Sequence, residues 1–565
     1  MMAVLGIAND MWVSSAALVS QGRVVSAVSE ERLNRIKHFR GFPRQAIESV
    51  LKHMPVGDSL KAVAISANPM TTLPYAPSRQ LGSSRFYAET LYSVPANLSK
   101  VLGSDWAADD QLELASGGVP LKFITHHMAH AAAAHYQAES EDNVILTLDG
   151  RGERQTGTIC TAEGNRITLL QEMNWPHSLG LFYGAITDYL GFRLDLDEYK
   201  IMGLAAYGDS KDATGLEMAD LVRLVPGGMI ELDLNYFDFY LSERELAVSR
   251  RFLDRFGPPR KRSEKVDARH AAVALAAQKV LEAAVVHCAS TAYDLGGKRD
   301  SLAVSGGTFM NSAMNGRLGE ATPFKYLYIP SAPDDAGTAI GAALFVEGVR
   351  STHTVPVESA LGPLYDDADL RSALERCRVR YTSMDDVGKE VARLISGGKL
   401  VGWYHGRSEF GARALGHRSI LADPRDPASK DRVNAAVKFR EGFRPFAPAV
   451  LSTEWDRLFE SAHTANSVYM QQAIPMRPQA RAALPSVVHV DGTSRAQFVP
   501  ANCGSPLAAL LGGLKAVTGW GVVLNTSFNL ADEPIVETPD DAIRTFYSCG
   551  LDALALGPFL VTKDY

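Results

Sequence analysis

Phe123-Ile-Thr-His-His-Met-Ala-His-Ala-Ala-Ala-Ala-His135, followed by Asn143-Val-Ile-Leu-Thr-Leu-Asp-Gly-Arg-Gly-Glu153, is the stretch around which the whole chain reads. His126, His127, His130 and His135 stand on an alanine-rich segment, and the apolar strand after it ends in Asp149-Gly150-Arg151-Gly152. A histidine helix beside a strand that ends in Asp-Gly has the layout of a metal and phosphate site. At about 100° per residue, His126 and His130 lie one turn apart on one face, so both imidazoles can reach one ion. His127 and His130 are neighbours too, at i and i+3, and the spacing leaves both pairs open. His135 falls roughly opposite His126 and is expected to be a bystander. The competing reading is a helix whose histidines only satisfy local hydrogen bonds; the Asp149 strand tips the balance toward a site.

At 565 residues the chain is too long for one core, and a domain size of roughly 100–200 residues predicts two or more domains. Apolar residues are 46% and charged residues 21%, the balance of a soluble enzyme, and no run approaches the ~18 apolar residues that span a bilayer. The opening Met1-Met-Ala-Val-Leu-Gly-Ile-Ala-Asn9 reads as a strand without the basic stretch of a signal peptide, so a cytoplasmic location is expected. Cys160, Cys288, Cys377, Cys503 and Cys549 form no Cys-x-x-Cys pair, which indicates neither a zinc ribbon nor a disulfide framework. A net charge of −7 gives no global attraction for nucleic acid. Neither nucleic acid nor membrane is therefore expected as a partner, and a homodimer is the default assembly.

Along the chain, residues 3–8 and 15–20 read as strands, and residues 21–28 follow after a tight glycine turn. The run Ser29-Glu-Glu-Arg-Leu-Asn-Arg-Ile-Lys-His38 is charged, which is ordinarily a solvated face. A helix is expected over 44–53, while 54–120 and 209–265 carry little pattern and the latter looks like an insertion. Asp195-Leu-Asp-Glu-Tyr-Lys-Ile-Met-Gly-Leu-Ala-Ala-Tyr-Gly208 suggests a loop leading into a helix near the site. A long helix is expected from Asp267, a good N-cap, to the stop at Gly296-Gly297.

Ser301-Leu-Ala-Val-Ser-Gly-Gly-Thr-Phe-Met-Asn311 is a strand, a glycine pair (Gly306, Gly307) and a helix start. Backbone amides at such a junction approach a nucleotide closely. Ile329-Pro-Ser-Ala-Pro-Asp-Asp-Ala-Gly-Thr-Ala-Ile-Gly-Ala-Ala343 repeats the plan, with acidic residues before a helix of small ones. Repeated units of this kind predict an α/β fold with a two-lobed actin-like ATPase core, nucleotide between the lobes, and Asp149 facing Asp335 across the cleft.

Residues 351–366 carry Pro and Gly without periodicity and read as a linker between a domain over 1–350 and another over 367–565. In the second domain a helix over 387–396 leads to the strand Leu400-Val-Gly-Trp-Tyr404. Beyond it, Arg413, Arg418, Lys438, Arg440 and Arg444 stand among glycines and prolines rather than on an amphipathic helix. Clustered guanidinium groups recognise phosphate bidentately, and Arg495 with the Asn525-Thr-Ser-Phe-Asn529 strand end, carrying Ser527 and Asn529, completes a candidate pocket for a small phosphorylated substrate.

Taken together, these residues resemble the O-carbamoyltransferases of antibiotic and nodulation-factor biosynthesis over nearly the whole chain. The matching segments are Glu30-Glu-Arg with Lys37-His38, His126-His-Met-Ala-His130, Leu148-Asp-Gly-Arg-Gly-Glu153, Ile201-Met-Gly-Leu-Ala205, Gly306-Gly with Asn311, Gly411-Ala-Arg-Ala-Leu-Gly416, Phe443-Arg-Pro-Phe-Ala-Pro448 and Thr526-Ser-Phe-Asn529. The resemblance implies an N-terminal lobe pair similar to the metal-dependent threonylcarbamoyl transferase of tRNA modification. It also implies a C-terminal α/β domain similar to threonylcarbamoyl-AMP synthase. By that analogy the C-terminal domain joins carbamoyl phosphate and ATP, with Mg2+, into carbamoyl-AMP. The N-terminal site then passes the carbamoyl group to a hydroxyl of a small natural-product acceptor. In the related transfer centres a His-x-x-x-His pair and two aspartates hold the ion, which maps onto His126, His130, Asp149 and Asp335 and selects His126 over His127. Mixed N/O ligands suit iron, zinc or manganese, and the resemblance points to ferrous iron.

The chain departs from the family where relatives carry His-Asp before the Ser-Ala-Ala of the first hairpin, since Trp12-Val13 stand there. If that histidine deprotonates the acceptor, this chain uses another base or the metal. Competing functions are a tRNA threonylcarbamoyl transferase, disfavoured by the acidic charge and by both half-reactions lying in one chain, and a non-catalytic nucleotide-binding actin-like module.

Overall fold

The computed structural model describes residues 2–9, 13–68, 102–103, 107–114, 117–209, 211, 215–241, 244–350, 358–462 and 465–563. Trp12 and 351–357 of the expected linker lie outside the described residues. The chain divides into two compact units, one made of Met1–Val25, Arg40–Pro43 and His53–Val355, the other of Ser26–Phe39, Arg44–Lys52 and Pro356–Tyr565. A single break in the sequence is thus joined by an exchange near the N-terminus.

The first unit is a repeated lobe. Its first sheet, in the order β3-β2-β1-β4-β7-β6-β5, uses β1 (Met2–Asn9), β2 (Ser14–Ser20), β3 (Arg23–Ser29), β4 (Ser59–Ile65), β5 (Leu102–Gly103), β6 (Ala107–Leu114) and β7 (Gly117–Ile124). Its second, β10-β9-β8-β13-β14, uses β8 (Asp142–Leu148), β9 (Gln155–Glu163), β10 (Arg166–Asn174), β13 (Ser301–Ser305) and β14 (Tyr326–Tyr328), and a hairpin of β11 (Val222–Leu224) and β12 (Ile230–Leu232) stands apart. In both sheets the first strand pairs antiparallel with the second and parallel with the next strand across, β4 or β13, which in turn pairs parallel with β7 or β14. The same order and the same sense in each lobe make this the expected two-lobed actin-like architecture. Central strands buried on both faces need continuous apolar runs, and Val144, Ile145, Leu146 and Leu148 of β8 are all fully buried.

Each lobe closes on a helix of small residues, His126–Gln137 after β7 and Thr338–Glu347 after β14. Every residue of the histidine helix is buried, which an alanine-rich segment with no polar face requires. The two helices cross at glycine distance: a Cβ on Gly341 would lie 1.8 Å from the Ala129 carbonyl oxygen. The long helix Ala268–Leu295 has the expected ends, a capping box of Asp267 with His270 and a stop at Gly296. It is long and apolar enough to cross a membrane by length and composition, yet it packs as a core helix against Leu179–Tyr189, Glu198–Ala205 and Ser312–Ala321.

The second unit is α/β, with an eight-stranded mixed sheet centred on Val401–Tyr404, Arg418–Ala422 and Val522–Ser527. One face packs Trp455, Phe459 and Phe528, and the other packs Trp403, Leu421 and the apolar sides of helices Val387–Ser396 and Pro506–Thr518. The charge run 29–38 corrects the expectation of a solvated face. Glu30 and Arg32 are buried, because Glu30 accepts from the Ala46 amide at 2.7 Å and Glu31 from the His38 amide at 2.7 Å. Burial of charge is tolerated where such partners exist.

Candidate metal centre and cationic site

At the start of the histidine helix, His126 Nε2 lies 2.9 Å from Asp149 Oδ2 and 3.5 Å from Asp335 Oδ1. His130 Nε2 lies 3.1 Å from His126 Nε2, 3.3 Å from Asp335 Oδ1 and 3.5 Å from Asp149 Oδ2. One ligand atom from each of the four falls within 4.8 Å of the others, and all four residues are buried. Asp149 stands just past β8, and Asp335 begins the short turn before Thr338–Glu347, so each lobe's closing region supplies ligands.

The surrounding hydrogen bonds orient these donors. Ser305 Oγ donates to the Pro333 carbonyl at 3.1 Å and therefore accepts from His130 Nδ1–H at 2.9 Å. That bond turns the unprotonated Nε2 of His130 toward the cluster. The Gly307 amide donates to Asp149 Oδ1 at 2.9 Å, leaving Oδ2 for the centre. Glu153 accepts from the His126 amide at 3.1 Å and the Asn68 amide at 2.7 Å, and so caps the histidine helix in place of Thr125, whose side chain makes no cap bond. Two imidazole nitrogens and two carboxylate oxygens converging in a buried site form the mixed N/O donor set that a divalent transition metal completes on displacing a proton. Burial opposes a charge on His126, but the Asp335 charge and the Asp149 hydrogen bond outweigh it and raise that imidazole well above 6.5.

His127 is spent elsewhere: its Nε2 donates to the Gln155 carbonyl at 3.1 Å and its Nδ1 accepts from Thr147 at 2.7 Å. Burial, with the neighbouring His126 and His130, holds it well below 6.5. That decides between the two spacings left open by the sequence, for His126 with His130. His135 is indeed apart, bonded to the Gly164 carbonyl at 2.7 Å and to Asn143 at 2.9 Å.

In the glycine pair, Gly306 donates its amide to the Pro333 carbonyl at 2.7 Å and Gly307 donates to Asp149 at 2.9 Å, so both amides support the histidine–aspartate centre. Gly306 holds φ at 113°, and a Cβ there would meet the Leu148 carbonyl oxygen at 2.1 Å. Asn311 caps Ser312–Ala321 and exchanges two amide bonds with Gln278, at 2.9 and 3.1 Å. Beside Gly150, the Arg151 guanidinium stacks 4.8 Å from the centre of the Trp175 ring. Sequence reasoning missed an acid pair: the Asp195 amide donates to Glu198 Oε1 at 2.6 Å. Burial lifts Asp195 to about 7, with Asp149 and Asp335 adding and Arg40 and Arg244 opposing. Burial and Asp195 lift Glu198 to about 8.

In the second unit Lys438 Nζ is held by Asn529 Oδ1 at 2.6 Å, Ser527 Oγ at 3.1 Å and the carbonyls of Ser527 at 2.5 Å and Asn529 at 3.1 Å. Burial pushes its ammonium well below 10.5, and the charges of Arg440, Arg444 and Lys37 add to the effect. Burial likewise lowers Arg495, helped by Arg413, Arg440 and Arg444. The structure thus brings together Arg413, Lys438, Arg440, Arg444, Arg495, Ser527 and Asn529, and adds Lys37. Glu441 lies 3.5 Å from Arg444, and a crowd of like charges of this kind is relieved by a bound anion. Arg418 does not join it. Fully buried, it stacks 3.6 Å from the Tyr404 ring centre, donates to the Gly406 carbonyl at 3.0 Å and pairs with Glu537 at 3.7 Å.

Two family models cover most of the chain: Carbamoyltransferase N-terminus matches residues 3–344 and Carbamoyltransferase C-terminus residues 392–563. The uncharacterized protein sll1178 of Synechocystis sp. is 36% identical, over 99% of this chain and 96% of its own. Nodulation protein NolNO of Sinorhizobium fredii is 35% identical over 97% of this chain and 78% of its own. The 3'-hydroxymethylcephem-O-carbamoyltransferase of Amycolatopsis lactamdurans is 28% identical over 78% of this chain and 81% of its own.

Proposed function

Since the chain belongs to the carbamoyltransferase family and is a carbamoyltransferase, we propose that it is ATP-dependent and O-specific, and that it works in two steps at two sites. In the first, the cationic site of the C-terminal unit takes carbamoyl phosphate and MgATP: one water cleaves carbamoyl phosphate to carbamate and phosphate, and a carbamate oxygen then attacks the α-phosphorus of ATP, giving carbamoyl-AMP with release of pyrophosphate. Arg413, Arg440, Arg444 and Arg495 bind the phosphate groups, and Lys438, pinned by Ser527 and Asn529, fixes one cation among them. A buried, arginine-lined pocket also shields the carbamate and the carbamoyl adenylate, once formed, from bulk water.

In the second step the acceptor hydroxyl attacks the carbamoyl carbon and AMP leaves. His126, His130, Asp149 and Asp335 would hold a divalent transition metal, ferrous iron by the family resemblance, which when bound supplies positive charge beside the adenylate phosphate. Ser305 keeps His130 in the tautomer that presents Nε2, and Gly307 keeps Asp149 turned inward. Arg151, held over Trp175, adds a guanidinium next to the same loop. The acceptor is a hydroxyl-bearing small molecule.

The observation that carries this reading is the convergence of the four buried donors in a chain that matches both family models. Incubation with ATP, carbamoyl phosphate and ferrous iron is expected to release pyrophosphate and phosphate together. No carbamoyl-phosphate-dependent pyrophosphate with iron, zinc or manganese would sink it.

A further inference from the structure

The run 29–38 belongs to the N-terminal stretch of sequence but is built into the C-terminal unit, and the chemistry above leaves its arginines unused. Both end on loops that carry the cationic site. Arg32 Nη2 donates to the carbonyls of Gly411 at 3.2 Å and Glu409 at 3.5 Å. Glu409 in turn accepts from the amides of Leu415 at 2.7 Å and Arg418 at 3.3 Å. Residues 409–415, which present Arg413, are therefore clamped at one end by Arg32 and at the other by Glu409. Arg35 donates to the carbonyls of Ile535 at 2.6 Å and Pro534 at 2.8 Å, and its Nε faces Asp541 at 3.4 Å. That loop begins at Asn529, whose side-chain Nδ2 donates to the Glu533 carbonyl at 2.8 Å and whose Oδ1 accepts from Lys438.

Around the arginines the backbone is tied down. Glu31 accepts from the His38 amide at 2.7 Å, and the Ser26 hydroxyl and Ala27 amide both donate to the Leu361 carbonyl at 2.9 Å. Guanidinium groups drawn out of water and bound to loop carbonyls are costly to keep unless they fix a geometry. Two of them in one ten-residue run, each ending on a different wall of one anion site, form a brace.

We propose that the run 29–38 is a positioning strap for the cationic site, in which Arg32 and Arg35 act through residues 409–415 and 529–535 to set the spacing of Arg413 and Lys438. The strap rests on the reading of that site as the one that takes carbamoyl phosphate, and it makes part of the N-terminal sequence a requirement of the first half-reaction. Arg32 and Arg35 are positioning residues, since neither is placed against the substrate.

The test uses full-length protein with Arg32→Met and Arg35→Met, following pyrophosphate release against carbamoyl phosphate at saturating ATP. Each variant is expected to raise the KM for carbamoyl phosphate about tenfold or more, with kcat within about threefold, as misplacement of a binding group does. Arg35→Lys should recover part of the loss, because an ammonium can still reach one of the two carbonyls. A fall confined to kcat would mean only fewer folded molecules, and an unchanged KM would mean no bracing; either overturns the strap. Binding of inorganic phosphate by calorimetry gives a readout independent of turnover. Arg35→Met should weaken it about tenfold, and equal affinity overturns the strap. A wild-type protein that binds phosphate but makes no pyrophosphate would instead sink the assigned reaction, leaving the phosphate comparison to judge the strap.

Discussion

Gly341→Ala puts the crossing of the two closing helices to the test. The added methyl would stand 1.8 Å from the Ala129 carbonyl oxygen and 2.8 Å from the Ala133 nitrogen. Ordinary contact begins near 3.4 Å, so the helices must part by about 1.6 Å at a point where both partners are backbone and neither can turn aside. Ala129 adjoins His130, and metal–ligand distances tolerate only about 0.2 Å. A shift of that size should weaken metal binding by about 10–100-fold, the range seen when ligand support is lost, and cost on the order of 1–3 kcal/mol of stability. The assay is titration of chelator-stripped protein with ferrous iron or zinc against a competing chelator, with a thermal melt alongside. Gly512→Ala is the control, since nothing lies within 4 Å of its added methyl, and in the helix Pro506–Thr518 the same change should stabilise by up to about 1 kcal/mol. Wild-type metal affinity and melting temperature in Gly341→Ala would refute the close crossing.

Further outcomes concern the histidines. Burial holds His135 at about 4, below the ordinary 6.5 of an unfolded chain, so the unfolded state takes up the proton first. Its contribution is whole above pH 6.5 and is lost as pH falls from 6.5 toward 4, by at most about 3 kcal/mol. His135→Gln should therefore flatten the loss of melting temperature across that window while leaving metal stoichiometry unchanged; an equally steep loss contradicts the assignment. His126 has the opposite sign. Asp335 and Asp149 overcome its burial and raise it, so in chelator-stripped protein its contribution is complete below pH 6.5 and is lost as pH rises through the raised value. Melts of stripped protein should fall with rising pH above 6.5, and added ferrous iron or zinc should reverse the trend; a metal effect that shrinks as pH rises would contradict it.

What was legible in the sequence was what local pattern controls. The strands, the capped helix from Asp267 to Gly296 and the His-x-x-x-His face follow from alternation, capping and period, and all are found. Choosing His126 over His127 needed partners that spacing does not contain: Thr147 and Gln155, which consume both nitrogens of His127. Gly306 and Gly307 read as a close-approach turn from glycine alone; that Pro333 and Asp149 take their amides depends on segments the local window does not contain. Arg418 looked like its cationic neighbours, and only Glu537, over a hundred residues away, reveals that it is buried. Residues 29–38 misled in the same way, since Glu30 and Arg32 are buried by partners that no local window includes.

The two-site relay is tested most directly by assaying both half-reactions on two variants, Lys438→Ala and His130→Ala. Pyrophosphate release from ATP and carbamoyl phosphate reports the first step, and single-turnover loss of supplied carbamoyl-AMP to an acceptor alcohol reports the second. Lys438→Ala is expected to abolish the first and keep the second, and His130→Ala to keep the first and abolish the second. The reverse pattern, or loss of both activities in both variants with each protein folded, would contradict the separation of the two steps.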